Sequence, residues 1–587
     1  MDCAIIFEMT QFTHDDVSIS YFTSVPLLDS VRSVMQTVAQ EDATTRTADV
    51  VHGGNSKMNK NFIPRSYIGA VIALLLLAYI PPQLGGQVVS VDPARMPRIG
   101  TVDERFQSYN IEMVEVVGGR FWKPYADYAA AKQAQPPAQQ SGAAPAGLDP
   151  NLFQYRPPID LSNSRLRTLA AALGPAYVRV SGTWANSVYF HNSDDPPPGN
   201  APAGFNGVLT RKEWNGVIDF AHAVNGEIVT SFASSVGTRD ANGVWTPEQA
   251  RQLLNFTKGA GGRIAAAEFM NEPTFAAIGG APKGYGAGAF GRDIAVFRPF
   301  LKQASPGTVF LGPGSVGEGP LAMTMRGGTL KTEDLLKATG PVFDVFSYHL
   351  YAAASERCKG APLATTAAAA LSEEWLSRSE KIGAFYADLR DRYEPGKSLW
   401  ITETADAACG GNPWASTFLD TFRYLVQHAG LGQRGVKVIM HNTLAASDYG
   451  LLDEKTFEPR PNYWAALLWR KLMGTTVLDP KLSPAPNVYA YAHCLRDHPG
   501  GVALLIVNAD QQRSYDVTLP ATQRYTLSGG RELQDTMVVL NGNALRLDAN
   551  GNLPQLTGEA THAGRLSFAP ATITFLAIAN ADNSSCR

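Results

Sequence analysis

Charge is scarce in this 587-residue chain: Asp, Glu, Lys and Arg make up 18% of it against 45% hydrophobic residues, and 53 acidic and 50 basic side chains leave a formal net charge of −3. No long block of one sign occurs. The chain therefore has no electrostatic footprint for nucleic acid, and holding any polyanion would need a local basic groove. Cysteine is scarcer still, with five residues and no CxxC or Cys/His spacing of the kind that holds zinc, so neither a metal nor another cofactor is expected. Membrane-length apolar runs are missing too: the run at 67–80 covers 14 residues, below the ~20 that a spanning helix needs.

That run is preceded by Lys57, Lys60 and Arg65, the shape of a secretory signal, with Met58 at the right distance to begin it. Translation is then expected to begin at Met58, with residues 1–57 either an over-called start or an extension of undefined role, followed by a signal at 58–86. Because Leu84-Gly-Gly-Gln87 is not a small-x-small cleavage site, an uncleaved anchor through residues 67–80 is the competing reading, and the one reading that involves a membrane. Either way the body of the chain is expected outside the cytoplasm, secreted or periplasmic. Cys3 lies in the extension. Cys358, Cys409, Cys494 and Cys586 remain an even set, open to three pairings and suited to an oxidising compartment.

The length exceeds that of a usual single domain and suits a barrel of about 250–350 residues with a smaller second domain. Residues 87–91 read as a strand ahead of the barrel. Strand-like runs at 108–113, 176–181, 227–233, 264–270, 308–312, 343–348, 398–402 and 436–441 alternate with helical periodicity at 166–173, 212–224, 248–258, 373–392, 416–428 and 463–473. Eight such units predict an α/β fold, a (β/α)8 TIM barrel over 101–474 whose active site sits at the carboxyl ends of the strands. Residues 126–150, rich in Ala, Gln, Pro and Gly, predict a surface insertion. From 475 onward β-branched alternation at 488–492, 502–507, 515–519, 537–540, 566–568 and 573–578 predicts a small all-β sandwich over 475–587 that also takes the N-terminal strand in 87–100.

Phe269-Met-Asn-Glu-Pro273 closes the fourth strand and places Glu272 where its apolar run stops. Trp400-Ile-Thr-Glu-Thr404 places Glu403 at the end of the seventh, so both carboxylates face one bowl. Hydrolysing a glycosidic bond needs one protonated carboxyl to donate to the leaving oxygen and a second, ionised one to attack or to activate water. Carboxyls about 5–5.5 Å apart predict a covalent intermediate and retention, and about 6.5–9.5 Å predicts inversion. Asn271 beside the acid offers an amide to a sugar 2-hydroxyl, and Pro273 ends the strand by removing a donor.

The two motifs resemble the acid/base and nucleophile motifs of the retaining barrel glycosidases of clan A. Over residues 87–587 the chain resembles glycoside hydrolase family 79, the heparanase and β-glucuronidase family. Leu166-Arg-Thr-Leu-Ala170, Pro175-Ala-Tyr-Val-Arg-Val-Ser-Gly-Thr183, Asp344-Val-Phe-Ser-Tyr-His-Leu-Tyr351, Asp448-Tyr-Gly-Leu-Leu-Asp453 and Asn462-Tyr-Trp464 fall in the family's order and spacing. The resemblance implies Glu272 as acid/base and Glu403 as nucleophile. It implies that Tyr449 and backbone amides of the loop holding Gly410 and Gly411 bind a uronic acid carboxylate, that Glu112, Asn271 and Asn442 hold sugar hydroxyls, and that His349 or Tyr351 orients the nucleophile. Glu318, after the fifth strand, is a weaker carry-over. A disulfide between Cys494 and Cys586, tying the tail to the sandwich, is implied as well. Cys358 and Cys409 fall on neighbouring loops at the same face and are placed to form a second bridge that braces the carboxylate loop. The run Ala405-Asp-Ala-Ala-Cys-Gly-Gly-Asn412 departs from the tyrosine and glycines common after the family's nucleophile, and His441-Asn442 departs from the mammalian heparanase pair.

Mammalian heparanase loses a linker between strands two and three; the matching segment at 191–208 is short and proline-rich, so this chain is expected to work uncut. The acidic balance favours an exo-acting β-glucuronidase whose partner is a glucuronic-acid-containing saccharide or glycoconjugate. An endo-β-glucuronidase of heparanase type, acting on heparan sulfate or a related glycosaminoglycan, is the alternative and calls for a basic cleft. A clan A enzyme for a neutral sugar and a catalytically inactive carbohydrate-binding barrel are the remaining readings.

Overall fold

The computed structural model describes residues 89–127, 149–320, 329–358 and 364–587. The expected extension, the signal or anchor at 58–86 with its apolar run, and residues 128–148 of the expected insertion lie outside these. Among the described residues no helix is long and apolar enough to cross a membrane.

Eight parallel strands close into a barrel in sequence order: β1 (Gln107–Glu112), β2 (Ala176–Ser181), β3 (Gly226–Ser231), β4 (Ile264–Glu268), β5 (Val309–Ser315), β6 (Val345–Tyr351), β7 (Leu399–Ala405) and β8 (Val436–His441), with β8 pairing back onto β1. All eight expected strands are present. β5, β6 and β7 each run three residues beyond the expected end, and β4 stops two residues short of it. The expected helix at 373–392 is two helices, Glu373–Leu376 and Arg378–Tyr393, joined at Ser377. A typical crossover helix, Arg211–Ala223, starts because Thr210 and Glu213 cap each other's backbone N–H, and it packs on the sheet through Trp214, Val217, Ile218 and Ala221.

Strand alternation sorts the barrel into layers. On β2, Val178 and Val180 turn outward into the helix-facing core, while Tyr177 and Arg179 turn inward. The lower interior is an apolar plug of Val229, Ala266, Leu311, Val345, Trp400, Val438 and Met440 with Tyr177 against it. One pleat above, the inward row becomes polar: Asn110, Arg179, Glu268, Ser347 and Thr402. The plug excludes water from beneath, so the polar layer opens toward the carboxyl ends of the strands.

Two antiparallel-rich sheets form the second region. One runs Arg98–Thr101, Met473–Leu478, Val488–Leu495, Val502–Asn508, Thr572–Ile578, Thr522–Gly529, Val538–Leu540, Asn543–Ala544, with Glu559–Thr561 beside Thr522–Gly529. The other holds Val89–Ser90, Tyr515–Leu519 and Gly564–Phe568. The N-terminal segment thus supplies a strand to each sheet, one more than expected. The last barrel helix ends at Leu472, and Met473, expected to finish it, instead begins a strand. Cys494 and Cys586 are bonded, and Asn583 Nδ2 donates to the carbonyls of Pro93 at 2.7 Å and Met96 at 2.9 Å, so the tail clasps the N-terminal segment.

Candidate active site

The polar layer converges on Arg179, whose side chain is fully buried. Its Nη1 donates to Glu403 Oε2 at 2.8 Å, and its Nη2 to Glu268 Oε2 at 2.9 Å and Asn271 Oδ1 at 2.8 Å. Glu268 Oε1 accepts from Ser347 Oγ at 2.8 Å and Thr402 Oγ1 at 2.7 Å. Burial opposes a charge on Glu268, but Arg179, His349 and Thr402 outweigh it and hold the carboxyl well below the ordinary range.

Glu403 accepts from Tyr351 Oη at 2.6 Å on its other oxygen. Strict alternation would turn Glu403 to the face opposite Thr402, yet both reach inward. The register of β7 shifts against β8 between Ile401 and Thr404, and against β6 opposite Tyr348 and His349, and this bulge re-aims one residue. Ser347, His349 and Tyr351, on regular β6, keep the period of two and form one inward row.

Glu272 lies four residues past the end of β4, in a left-handed backbone conformation (φ 48°) that is uncommon for a residue with a side chain. The turn Pro273–Phe275 holds it there, with the Phe275 N–H donating to the Glu272 carbonyl at 2.9 Å. Its carboxyl meets His349 Nδ1 at 3.0 Å and keeps 17% of its side-chain surface open. One ligand atom each of Glu272, His349 and Glu403 lie within 4.8 Å of one another. Burial, and then Glu403, raise the Glu272 carboxyl above its ordinary range against the hydrogen bond from His349. Burial also works against a charged His349, but Glu403, the neighbouring Glu268 carboxylate and the bond to Glu272 lift it to about 9. Arg179 Nη2, 3.2 Å from Nε2, pulls the other way, since it can donate only where Nε2 carries no proton. The three donors are spaced as a cation would accept, but Arg179 already brings positive charge to the cluster.

No family model matches the chain. Heparanase-like protein 1 of Arabidopsis thaliana is 25% identical over 486 residues, covering 73% of this chain and 86% of its own length. Heparanase of Bos taurus is 27% identical over 506 residues, covering 75% and 87%. Baicalin-β-D-glucuronidase of Scutellaria baicalensis is 34% identical over 186 residues, covering 30% and 35%. These relatives are heparanase-like proteins and a β-glucuronidase, in keeping with the resemblance to glycoside hydrolase family 79. The barrel and sheets are those of glycosidases: the solved 4-O-α-L-rhamnosyl-β-D-glucuronidase of Fusarium oxysporum superposes with a TM-score of 0.54 at 14% identity, over 84% of this chain and 99% of that one.

In this glycosidase the remaining expected residues gather on the same face. Asn442, just after β8, donates to Tyr351 Oη at 3.1 Å and Tyr449 Oη at 3.4 Å. Glu112 ends β1, and burial, then Glu403, hold its carboxyl well above the ordinary range. A Cβ at Gly182 (φ 93°) would fall 1.5 Å from Glu112 Oε2, so only glycine fits behind that carboxyl. The Asn271 backbone is held from both sides by Asn186, at 2.8 and 2.9 Å. Tyr449 is buried, its carbonyl bonded to His441 Nε2 at 2.7 Å. Gly410 and Gly411 continue a left-handed run from Cys409. Cys409 is bonded to Cys358 across a Cα separation of 6.5 Å. Glu318 is the exception: its carboxylate accepts the Thr332 N–H at 3.0 and 3.1 Å and its hydroxyl, capping the helix Thr332–Thr339 rather than joining the cluster.

Four residues with a place in this site carried no expectation. Arg179 stands inside the stretch Pro175–Thr183 and Glu268 directly before Phe269–Pro273, and a lone charge in an otherwise apolar run was the available signal. Arg357, and Trp122, whose side chain packs on Gly410, lie in loops where nothing in the local pattern distinguishes them.

Proposed function

We propose that the chain is an exo-acting, retaining β-glucuronidase. The carboxylate pair carries the reading: oxygens of Glu272 and Glu403 lie within 4.8 Å, a close approach that suits a covalent intermediate. In the first step Glu272, its carboxyl raised by burial, gives its proton to the leaving oxygen while Glu403 attacks the anomeric carbon. The bond to the aglycone breaks and a glycosyl ester to Glu403 forms. Esterification removes the negative charge that held Glu272 protonated. Glu272 then takes a proton from water, which attacks the same carbon from the face the aglycone left and frees Glu403, with net retention. Tyr351 and Arg179 hold Glu403 in line on its two oxygens, and Asn271, its Oδ1 taken by Arg179, presents its NH2 to the sugar.

The uronate reading rests on the loop containing Gly410 and Gly411 beside Tyr449, together with relatives whose names are those of heparanases and a glucuronidase. Exo action is supported by the segment after the hairpin of Gly119–Trp122 with Phe153–Arg156. There the Tyr125 N–H donates to Asp448 at 2.9 Å, Tyr125 Oη meets Ser355 Oγ at 2.5 Å, and the Lys123 carbonyl accepts from Arg357. With Trp122 on Gly410, these contacts hold this strap against the loop of the expected carboxylate, a placement in keeping with a short site for a terminal sugar. Two disulfides suit an exported protein.

Release of 4-nitrophenol from its β-glucuronide, β-glucoside and β-xyloside, with proton NMR of the first-formed anomer, tests the chemistry; the β-anomer of glucuronic acid is expected. Heparan sulfate oligosaccharides test the mode. Loss of single terminal glucuronic acid units supports exo action, and a rapid fall in chain length would replace it with the endo reading.

A further inference from the structure

The segment Ser355–Cys358 following β6 carries Arg357, whose side chain is fully buried and makes five contacts with the loops around the expected carboxylate position. Its Nη2 donates to the Gly410 carbonyl at 3.0 Å, reaches the Gly411 carbonyl at 3.5 Å, and pairs with Asp448 Oδ2 at 3.1 Å. Its Nη1 donates to the Lys123 carbonyl, and its guanidinium lies 3.9 Å from the centre of the Tyr125 ring. The Cys358–Cys409 disulfide ties the residue after Arg357 to the residue before Gly410.

A trans peptide sets the carbonyl of one residue and the N–H of the next in opposite directions. The Gly410 carbonyl is drawn outward by Arg357 and by Ser447 Oγ at 3.1 Å, so the Gly411 N–H points the other way, away from the guanidinium. Neither Gly410 N–H nor Gly411 N–H donates to an acceptor among the described residues. Gly411 has no room for a side chain: a Cβ would come within 3.2 Å of Asp406 Oδ1 and 3.3 Å of the Tyr449 ring. On the other side Arg357 pairs with Asp448, the residue before Tyr449, and this ion pair neutralises the guanidinium while fixing the tyrosine's backbone.

We infer that Arg357 is the positioning residue for uronate selectivity. It turns the Gly411 N–H toward the substrate, locks Tyr449 through Asp448 and pins the strap at Lys123, without itself touching the sugar. The inference rests on the β-glucuronidase reading and deepens it. A planar fork with donors in fixed directions is required, because one group must serve three carbonyls and a carboxylate at once. Lysine, a point charge on a flexible stem, cannot do so.

The test compares kcat and KM for 4-nitrophenyl β-glucuronide and β-glucoside in wild type, Arg357→Lys and Arg357→Gln, with Asp448→Asn as a milder variant should the first two fail to fold; circular dichroism checks folding. The ratio of kcat/KM for glucuronide over glucoside is expected to fall about 10- to 100-fold, the order expected when one buried hydrogen-bonding group loses its partner. The fall should come through KM for the glucuronide, with the glucoside nearly unchanged, and Lys should not rescue it. A parallel fall for both substrates, an unchanged ratio, or full selectivity in Arg357→Lys overturns the inference. A wild type with no preference for the glucuronide overturns the β-glucuronidase reading and this one together; a selective wild type with selective variants overturns this one alone.

Discussion

Above the apolar plug of the barrel, Arg179, Glu268, His349 and Glu403 are buried together in one network of hydrogen bonds. Between the two sheets of the sandwich the buried residues are Val502, Leu504, Ile506, Val517, Leu576 and Ile578, and among the described residues from 475 onward no Asp, Glu, Lys or Arg is buried. Apolar burial stabilises by roughly 25 cal/mol per Å² in almost any well-packed arrangement. A buried charge network stabilises only while every partner is present, and often less than an apolar core of the same volume would. The mouth of the barrel keeps its charges because the candidate chemistry needs them; the sandwich is free to follow packing alone.

Substitutions on the two sides should therefore separate activity from stability. Glu403→Gln is expected to cost the most activity, on the order of 10⁴-fold or more in kcat, since it removes the attacking group. Glu272→Gln should lose about 10²- to 10⁴-fold, most for aglycones that leave poorly, and should abolish the alkaline limb of the pH–rate profile that the raised Glu272 carboxyl produces in wild type. Steady-state rates with 4-nitrophenyl β-glucuronide measure both. In the sandwich, Leu504→Ala should destabilise by about 2–5 kcal/mol in urea melts and leave kcat/KM of the folded protein untouched; a matching loss of activity would break the division between the two regions.

Two histidines sharpen the contrast with opposite pH slopes. His349 is raised to about 9, so the stability it contributes is fully present below its ordinary 6.5 and is lost as pH rises through about 9. His493, in the strand Val488–Leu495, is lowered by burial to about 4, so it folds neutral; its contribution is present above 6.5 and is lost as pH falls through about 4. Unfolding midpoints between pH 4 and 10 should lose the alkaline decline in His349→Gln and the acid decline in His493→Gln. The smallest effect is expected from Glu318→Gln. It should weaken the cap on Thr332 by about 1 kcal/mol or less and leave the rate unchanged; a large rate loss would return Glu318 to the site.

The features legible in the chain were those with a local pattern. Eight buried runs spaced by amphipathic helices could form little else than a closed parallel barrel, because a strand apolar on both faces needs helices outside and side chains within. The ends of those runs placed Glu272, Glu403, Glu112 and Asn442 on one face, within a few residues of where they stand. Strand ends were less legible. β6 and β7 continue into polar residues, His349 to Tyr351 and Glu403 to Ala405, that hydrophobicity alone reads as loop but that pair in register inside the barrel.

The sequence by itself determined the alternation that turns Arg179 inward, the two glutamate motifs, and the cysteines and glycines after β7. Only the tertiary structure decided that Arg179 joins Glu268 to Glu403, that a bulge between Ile401 and Thr404 aims Glu403 at Tyr351, that His349 falls to Glu272 and Tyr351 to Glu403, and that Arg357 binds three loops together. These are contacts between residues tens to hundreds of positions apart. Their distances depend on barrel closure and on the relative register of parallel strands, which a residue's neighbours in the chain do not encode.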